Sequence, residues 1–455
     1  FRNLTGTAGG DSFVFAASGS LSGVLDGAAG SDMLDLSAYP TARNMVLTGA
    51  GVNGFNGTES SIVGGFANVE ALAAPAGTVN SLQGADLANS WAVTGADAGI
   101  LTAGGSSLSF SNFRNLTGGN ANDVFSLSGG TLSGMINGGA GTNTLTADNV
   151  ANDWTIAGMD SGTVTGLSGG FNHIQTLVGG AGSDRFVMES GGAVSGVVGG
   201  GEGADVLDYR NFSGDVVVDL GLNSATGIGG IANIETVVGG TGGNTLLGPN
   251  AATDWRVLGP DTVTANDSIY FEGFHSLQGG TGADHYDIGA DFTGSINGGG
   301  GADTININAP VHTGHLDLTA DEVNFTAPGQ INADGGAVTI TAGAVNADRK
   351  DVHIIADNLA LHATDHAGTY NLPLGLEISG ATDFGAGSRN FVSGFFGATR
   401  GDFTDVGKTT LNVYRGQNAV VQDRGRIDPA LFIKDFNLFN LIDGGVRLTP
   451  DQREE

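Results

Sequence analysis

The chain contains no cysteine in 455 residues, so no disulfide holds it together and no thiol does chemistry in it. That is compatible with export, provided stacked repeats supply the stability. Charged residues are few, at 14%, and basic ones fewer still: 17 Lys and Arg stand against 47 Asp and Glu, for a net charge of −30. Such a polyanion is repelled by phosphate backbones and anionic lipids. This argues against nucleic acid and membrane surfaces as partners and favours cations or neutral ligands such as sugars. Hydrophobic runs are short as well. None approaches the roughly 20 residues of a membrane span, so no membrane insertion is expected, and no signal peptide is visible. The first six residues, FRNLTG, recur at 113–118. A chain that opens in mid-repeat without Met is expected to be a piece of a longer protein.

Glycine, by contrast, is abundant, with 81 copies that do not fall every third residue, which excludes collagen. Many belong to one phrase: GGAGSD at 179–184, GGEGAD at 200–205, GGTGAD at 279–284 and GGGGAD at 298–303, with looser copies at 7–11, 27–32, 118–123, 138–143 and 239–244. The residues that close these phrases are Asp11, Asp32, Asp123, Asn143, Asp184, Asp205, Asn244, Asp284 and Asp303. From Asp123 onward their spacings are 20, 41, 21, 39, 40 and 19 residues, each close to one or two repeats of about 20. Apolar residues alternate after each Asp or Asn, as Phe186 and Met188 or Ile305 and Ile307 do. Alternation with period two marks a strand with one face in a core, and the glycines mark the corner.

The fold expected from this pattern is all-β: a parallel β-helix solenoid with rungs of about 20 residues, right-handed because β-crossovers almost always are, and closed by a C-terminal cap. The 39–41-residue intervals read as two rungs each. A tryptophan phrase falls in two of them, NDWTIAGMDSG (152–162) and TDWRVLGPDTV (253–263), and recurs ahead of Asp123 as NSWAVTGADAG (89–99), so that it carries all three tryptophans. A core or corner-covering role is the expectation for Trp91, Trp154 and Trp255, with docking as the alternative. Three regions are expected: Gly-rich repeats over 1–308, plainer β-helix rungs over 309–367, and a capping region and tail over 368–455. The last includes the helix-compatible run 428–445.

The chemistry of the glycine–aspartate phrase has two readings. In one, each Asp or Asn side chain caps the backbone of its own turn, which Asn does as well as Asp. In the other, carboxylates one rung apart stack at strand spacing and a cation bridges them; the pairs are Asp11 with Asp32, Asp123 with Asn143, Asp184 with Asp205, and Asp284 with Asp303. The phrase resembles the calcium-binding nonapeptide of RTX proteins, GGxGxDxUx with U a large apolar residue, and GGAGSDRFV, GGEGADVLD and GGTGADHYD each match one unit. That resemblance implies Ca²⁺ at Asp11, Asp32, Asp123, Asp184, Asp205, Asp284 and Asp303. In RTX proteins the units follow one another at nine residues, whereas here each copy stands alone.

Other constellations are sparser. His312 with His315, and His362 with Asp365 and His366, lack metal-ligand spacing and read as surface residues. Asp348, Arg349, Lys350 and Asp351 form the one dense charge cluster in the rungs, the type of group a β-helical polysaccharide lyase or hydrolase would use. Arg400, Gly401 and Asp402 spell RGD, a receptor-recognition tripeptide that matters on an exposed turn.

LTADEVNFTAPGQINADGGAVTITA (318–342) resembles the rungs of two-partner-secretion exoproteins of the filamentous-haemagglutinin type, and DGGVRLTPDQREE (443–455) with the RGD is similar to biofilm-matrix adhesins of that group. The resemblance implies a non-enzymatic adhesin, secreted to the cell surface or biofilm matrix through an outer-membrane partner transporter. Its partners would be exopolysaccharide or neighbouring adhesin molecules. The alternatives are a calcium-stiffened RTX-like or surface-layer protein, and a polysaccharide-degrading β-helix.

Overall fold

The structure, a computed structural model, describes residues 2–349, 351–368 and 374–378, and the backbone of 382–384, 389–396, 401–403, 410–413 and 421–423. Every regular element among the described residues is a β-strand, and most strand pairs are parallel. Register gives the coil directly. Leu4 lies beside Leu25, Ser12 beside Met33, Leu116 beside Ile136, Arg185 beside Val206 and His285 beside Thr304. Residues one repeat apart are therefore neighbours in adjacent strands, which makes the chain a β-solenoid.

The chain divides into two compact units, Phe1–Gly214 with Asn223–Gly242, and Asp215–Leu222 with Gly243–Glu455. The first unit has two sheets. One runs through Ala71–Ala73, Val124–Leu127, Thr144–Thr146, Thr176–Gly180 and Val194–Gly201; the other runs through Leu25–Asp26, Asn115–Thr117, Ile136–Asn137, Arg185–Met188 and Val206–Asp208. Alternate residues point inward and stack coil on coil. Phe125, Leu145, Leu177 and Val198 form one such column and Phe186, Leu207 and Val237 another, all fully buried. Each contributes roughly 1.5–3 kcal/mol relative to an exposed side chain. In the second unit, coils of two strands give way at Pro310–His312 to coils of three, and the step becomes 22 residues, as in His315 beside Ala337. Strand pairing continues through Leu374–Ile378 and Arg389–Phe396 to Val421–Asp423, within the stretch expected to cap the solenoid. The helix-compatible run 428–445 lies outside the described residues.

The long intervals differ from the expectation of two rungs. Thr144 pairs directly with Thr176, and Asp153 with Arg185, so a single coil step there takes 32 residues. The surplus is an antiparallel three-stranded meander, Asp153–Gly158, Ser161–Val164 and Leu167–Asn172. Three others are Asn44–Ala50, Phe55–Glu59, Ile62–Val69; Ser90–Gly95, Ala98–Ala103, Ser106–Ser111; and Asp254–Gly259, Thr262–Ala265, Ile269–Glu272. A period of 40 cannot by itself distinguish two coils from one coil plus a hairpin excursion. Asp97, Asp160 and Asp261 occupy hairpin turns with φ near +50°, a conformation short polar side chains tolerate.

Each tryptophan begins its meander and is buried, stacking on the aromatic ring of the next coil: Trp91 on Phe125 at 5.6 Å, Trp154 on Phe186 at 5.4 Å and Trp255 on Tyr286 at 5.8 Å. They are core residues.

One buried group in the second unit makes folding pH-sensitive. His353 is fully buried against Phe325, and its Nδ1 accepts a hydrogen bond from the Gly375 N–H at 3.0 Å. Desolvation, then the nearby Arg349, pushes its pKa down to about 4 from 6.5. The native state thus takes up fewer protons than the unfolded chain, so stability is present above pH 6.5 and is lost as pH falls toward 4. The full loss is about 3 kcal/mol. Denaturant titrations of wild type and His353→Phe at pH 7 and pH 4.5 check this; the variant should lose the acid sensitivity contributed by this group.

Candidate functional site

The residues singled out at the corners stand in columns, and the columns are joined by one repeated contact. The carboxylate or amide of each corner accepts the backbone N–H of the equivalent residue one coil earlier. Asp11 N–H donates to Asp32 Oδ1 at 2.7 Å, Asp123 N–H to Asn143 Oδ1 at 2.9 Å, Asp184 N–H to Asp205 Oδ1 at 2.7 Å and Asp284 N–H to Asp303 Oδ1 at 2.9 Å. All four pairs expected to stack do so. In some turns the second oxygen also caps the backbone of the residue's own turn. Asp11 Oδ2 accepts the Thr7 N–H, Asp123 Oδ2 the Gly119 N–H at 2.7 Å and Asp284 Oδ2 the Gly280 N–H at 3.1 Å. One side chain thus closes its own turn and holds the turn beneath it.

The columns are short because the meanders interrupt them. Asn143 is followed by Gln175, whose Oε1 accepts the Asn143 N–H at 2.7 Å, rather than by Asp184. Asp184 opens against Asn152 on another edge, with Asn152 N–H donating to Asp184 Oδ1 at 2.7 Å. The turn 118–123 leads into the first-sheet strand Val124–Leu127, whereas 179–184 leads out of the parallel strand Thr176–Gly180 in the same sheet. These turns therefore sit at opposite ends of the strands. Four ladders contain the corner residues singled out: Asp11–Asp32–Glu70, Asn89–Asp123–Asn143–Gln175, Asn152–Asp184–Asp205–Glu235, and Thr253–Asp284–Asp303–Asp321.

Sequence reasoning missed both ends of these ladders. Asn89, Asn152 and Thr253 open the tryptophan phrases, two positions before each Trp, and Glu70, Gln175 and Glu235 close the phrases NVE, HIQ and NIE. In each of the latter a left-handed residue (Asn68, His173 or Asn233, φ 50° to 54°) turns the chain two positions before the acceptor. The hairpin aspartates were missed too. Asp97 takes the N–H and hydroxyl of Ser133 at 2.7 and 2.8 Å, and Asp160 those of Ser195 at 2.7 and 2.9 Å, pinning each hairpin to the following coil.

Corner carboxylates from Asp32 to Asp303 are buried. Desolvation raises the pKa values of Glu70, Asp123, Asp184, Asp205 and Asp284 against the opposing pull of the backbone N–H bonds. A hard cation such as Ca²⁺ needs six to eight oxygens. Here Oδ1 of Asp32, Asp123, Asp184, Asp205, Asp284 and Asp303 is engaged by an N–H, and the buried side-chain oxygens of Asp32, Asp184 and Asp205 left without a partner are one Oδ2 each. Among the described residues no three His, Cys, Asp or Glu side chains converge on a common metal position. The donor set fits turn closure and does not fit a calcium cage.

Among the described residues the remaining candidates do not assemble into a site. Arg349 pairs with Asp348 at 3.0 Å and Asp351 at 3.1 Å, so this cluster is neutralised locally; Lys350 lies outside the described residues. His312 and His315 bond separately to Asp291 and Asp317, and His366 to Asp365. Gly401 and Asp402 belong to the strand Gly401–Phe403, paired with Val421–Asp423, and Arg400 lies outside the described residues. No protein-family model matches the chain, and no curated protein matches it in sequence.

Proposed function

We propose that this chain is the stalk of a secreted, cell-surface adhesin: a non-enzymatic, parallel and right-handed β-helix that carries load between cells or between a cell and its matrix. The observation that carries the reading is the use of the recurring polar residues. Asp184, Asp205 and their counterparts are consumed in coil-to-coil hydrogen bonds instead of converging on a cleft. Load along such a stack is shared by parallel ladders and by these buried bonds, with no disulfide needed. The excess of acid over base disfavours nucleic acid as a partner, and the resemblance of 318–342 to two-partner-secretion rungs implies exopolysaccharide or neighbouring adhesin molecules as partners and export through an outer-membrane partner transporter.

Beads carrying the chain test this. They are expected to be retained under flow by a matrix polysaccharide surface or by a surface bearing the same chain, without depolymerising the glycan. Retention by neither, or release of sugar fragments, would overturn the proposal.

A further inference from the structure

One face of the first unit differs in composition from the outward face of the unit's other sheet. Eight successive strands of its first sheet, from Ser106–Ser111 to Ile228–Ala232, turn outward only Ser, Thr, Ala, Val, Ile and Gly. One outward row reads Thr102, Ser90, Val124, Thr144, Thr176 and Val197 in register. No charged, aromatic or long side chain stands in that face. Ile100, Val124 and Val197 are nevertheless exposed, at 42%, 45% and 39%. The outward face of the other sheet in this unit carries Asp26, Asp153, Arg185 and Asp208.

We infer that this uncharged face is where a second copy of the chain docks, sheet face against sheet face. Two copies at −30 each repel wherever their acidic surfaces meet. They can approach closely only where charge is absent, and short side chains let two sheets come within about 10 Å. A glycan is the poorer occupant, because the face offers neither an aromatic platform nor amide and carboxylate groups. Eight strands at about 4.8 Å and two outward residues per strand present roughly 400–500 Å² per copy. That is below a standard stable interface, so the contact is weak in solution and grows strong when many stalks are held side by side. The inference rests on the stalk reading and specifies the partner of that stalk.

Sedimentation velocity of the whole chain, from about 5 to 300 μM at roughly 0.15 M salt, is the test. Wild type is expected to show a concentration-dependent dimer that strengthens with added salt. Thr144→Lys and Val124→Lys, each on the face, should weaken it at least tenfold, whereas Thr117→Lys on the other sheet should leave it unchanged. A single monomeric species throughout, or equal loss with Thr117→Lys, overturns the inference. So does binding of matrix polysaccharide by a monomer when only the face variants lose that binding. Bead retention by polysaccharide that persists in a strictly monomeric protein would refute the docking face and leave the stalk reading intact.

Discussion

Asp205→Ala is expected to destabilise the first unit by about 2–4 kcal/mol, whereas Asp205→Asn should leave it as stable as wild type or more so at pH 7.5. The alanine removes the acceptor of the buried Asp184 N–H and leaves that donor without a partner. It also vacates a fully buried corner. The amide keeps Oδ1 in place. Its Nδ2 replaces an Oδ2 that has no partner and that shares the space beside Gly200 with the Asn233 carbonyl oxygen. Asn143 supplies the precedent within the chain, because its Nδ2 donates to the His173 carbonyl at 3.0 Å, the equivalent position. The pH dependence has a definite sign. Burial raises the Asp205 pKa, so the native state holds its proton more tightly than the unfolded chain does. Its contribution is complete below the ordinary value of 3.8 and is lost as pH rises through the raised value. Asparagine, which does not titrate, should abolish that contribution. Denaturant unfolding of the three proteins between pH 4 and 8 measures all of this.

Trp154→Ala should cost about 3–5 kcal/mol. The indole is fully buried, stacks on Phe186 with an interplanar angle of 18° and meets Phe171 edge-on at 5.8 Å. Phe186 belongs to the next coil and Phe171 to the last strand of the same meander, so the ring ties the excursion to the stack. Trp154→Phe keeps part of that contact and should recover at least half of the loss. Unfolding followed by the remaining tryptophans checks both; a loss under about 1 kcal/mol for the alanine would mean that the meander is not anchored through this ring.

The parts of this architecture that obey one period were legible in the sequence. The glycine phrase marked the corners, alternation marked the strands, and single-interval pairs such as Asp184 with Asp205 stack as their spacing required. The meanders escaped because their strands alternate with the same period of two as the coil strands, so Trp154–Val164 reads as another rung. Edge switching escaped with them, since a three-stranded excursion changes which end of the sheet the next glycine turn occupies. Glu70, Gln175 and Glu235 were illegible for a different reason. They do the work of the corner aspartates without the glycines, and the longer side chain reaches the neighbouring N–H from a corner turned by Asn68, His173 or Asn233. The recurring triplet before an apolar strand was the available signal.

The central claim is that the corner carboxylates close and stack turns through hydrogen bonds and need no metal. Thermal melting of the whole chain in EDTA and in millimolar calcium tests it most directly. The account predicts melting temperatures equal to within about 1 °C. Calcium filling these corners at a hundredfold excess over its dissociation constant would add about 2.7 kcal/mol, a rise of roughly 5–10 °C for a unit of this size, and such a rise would contradict the account.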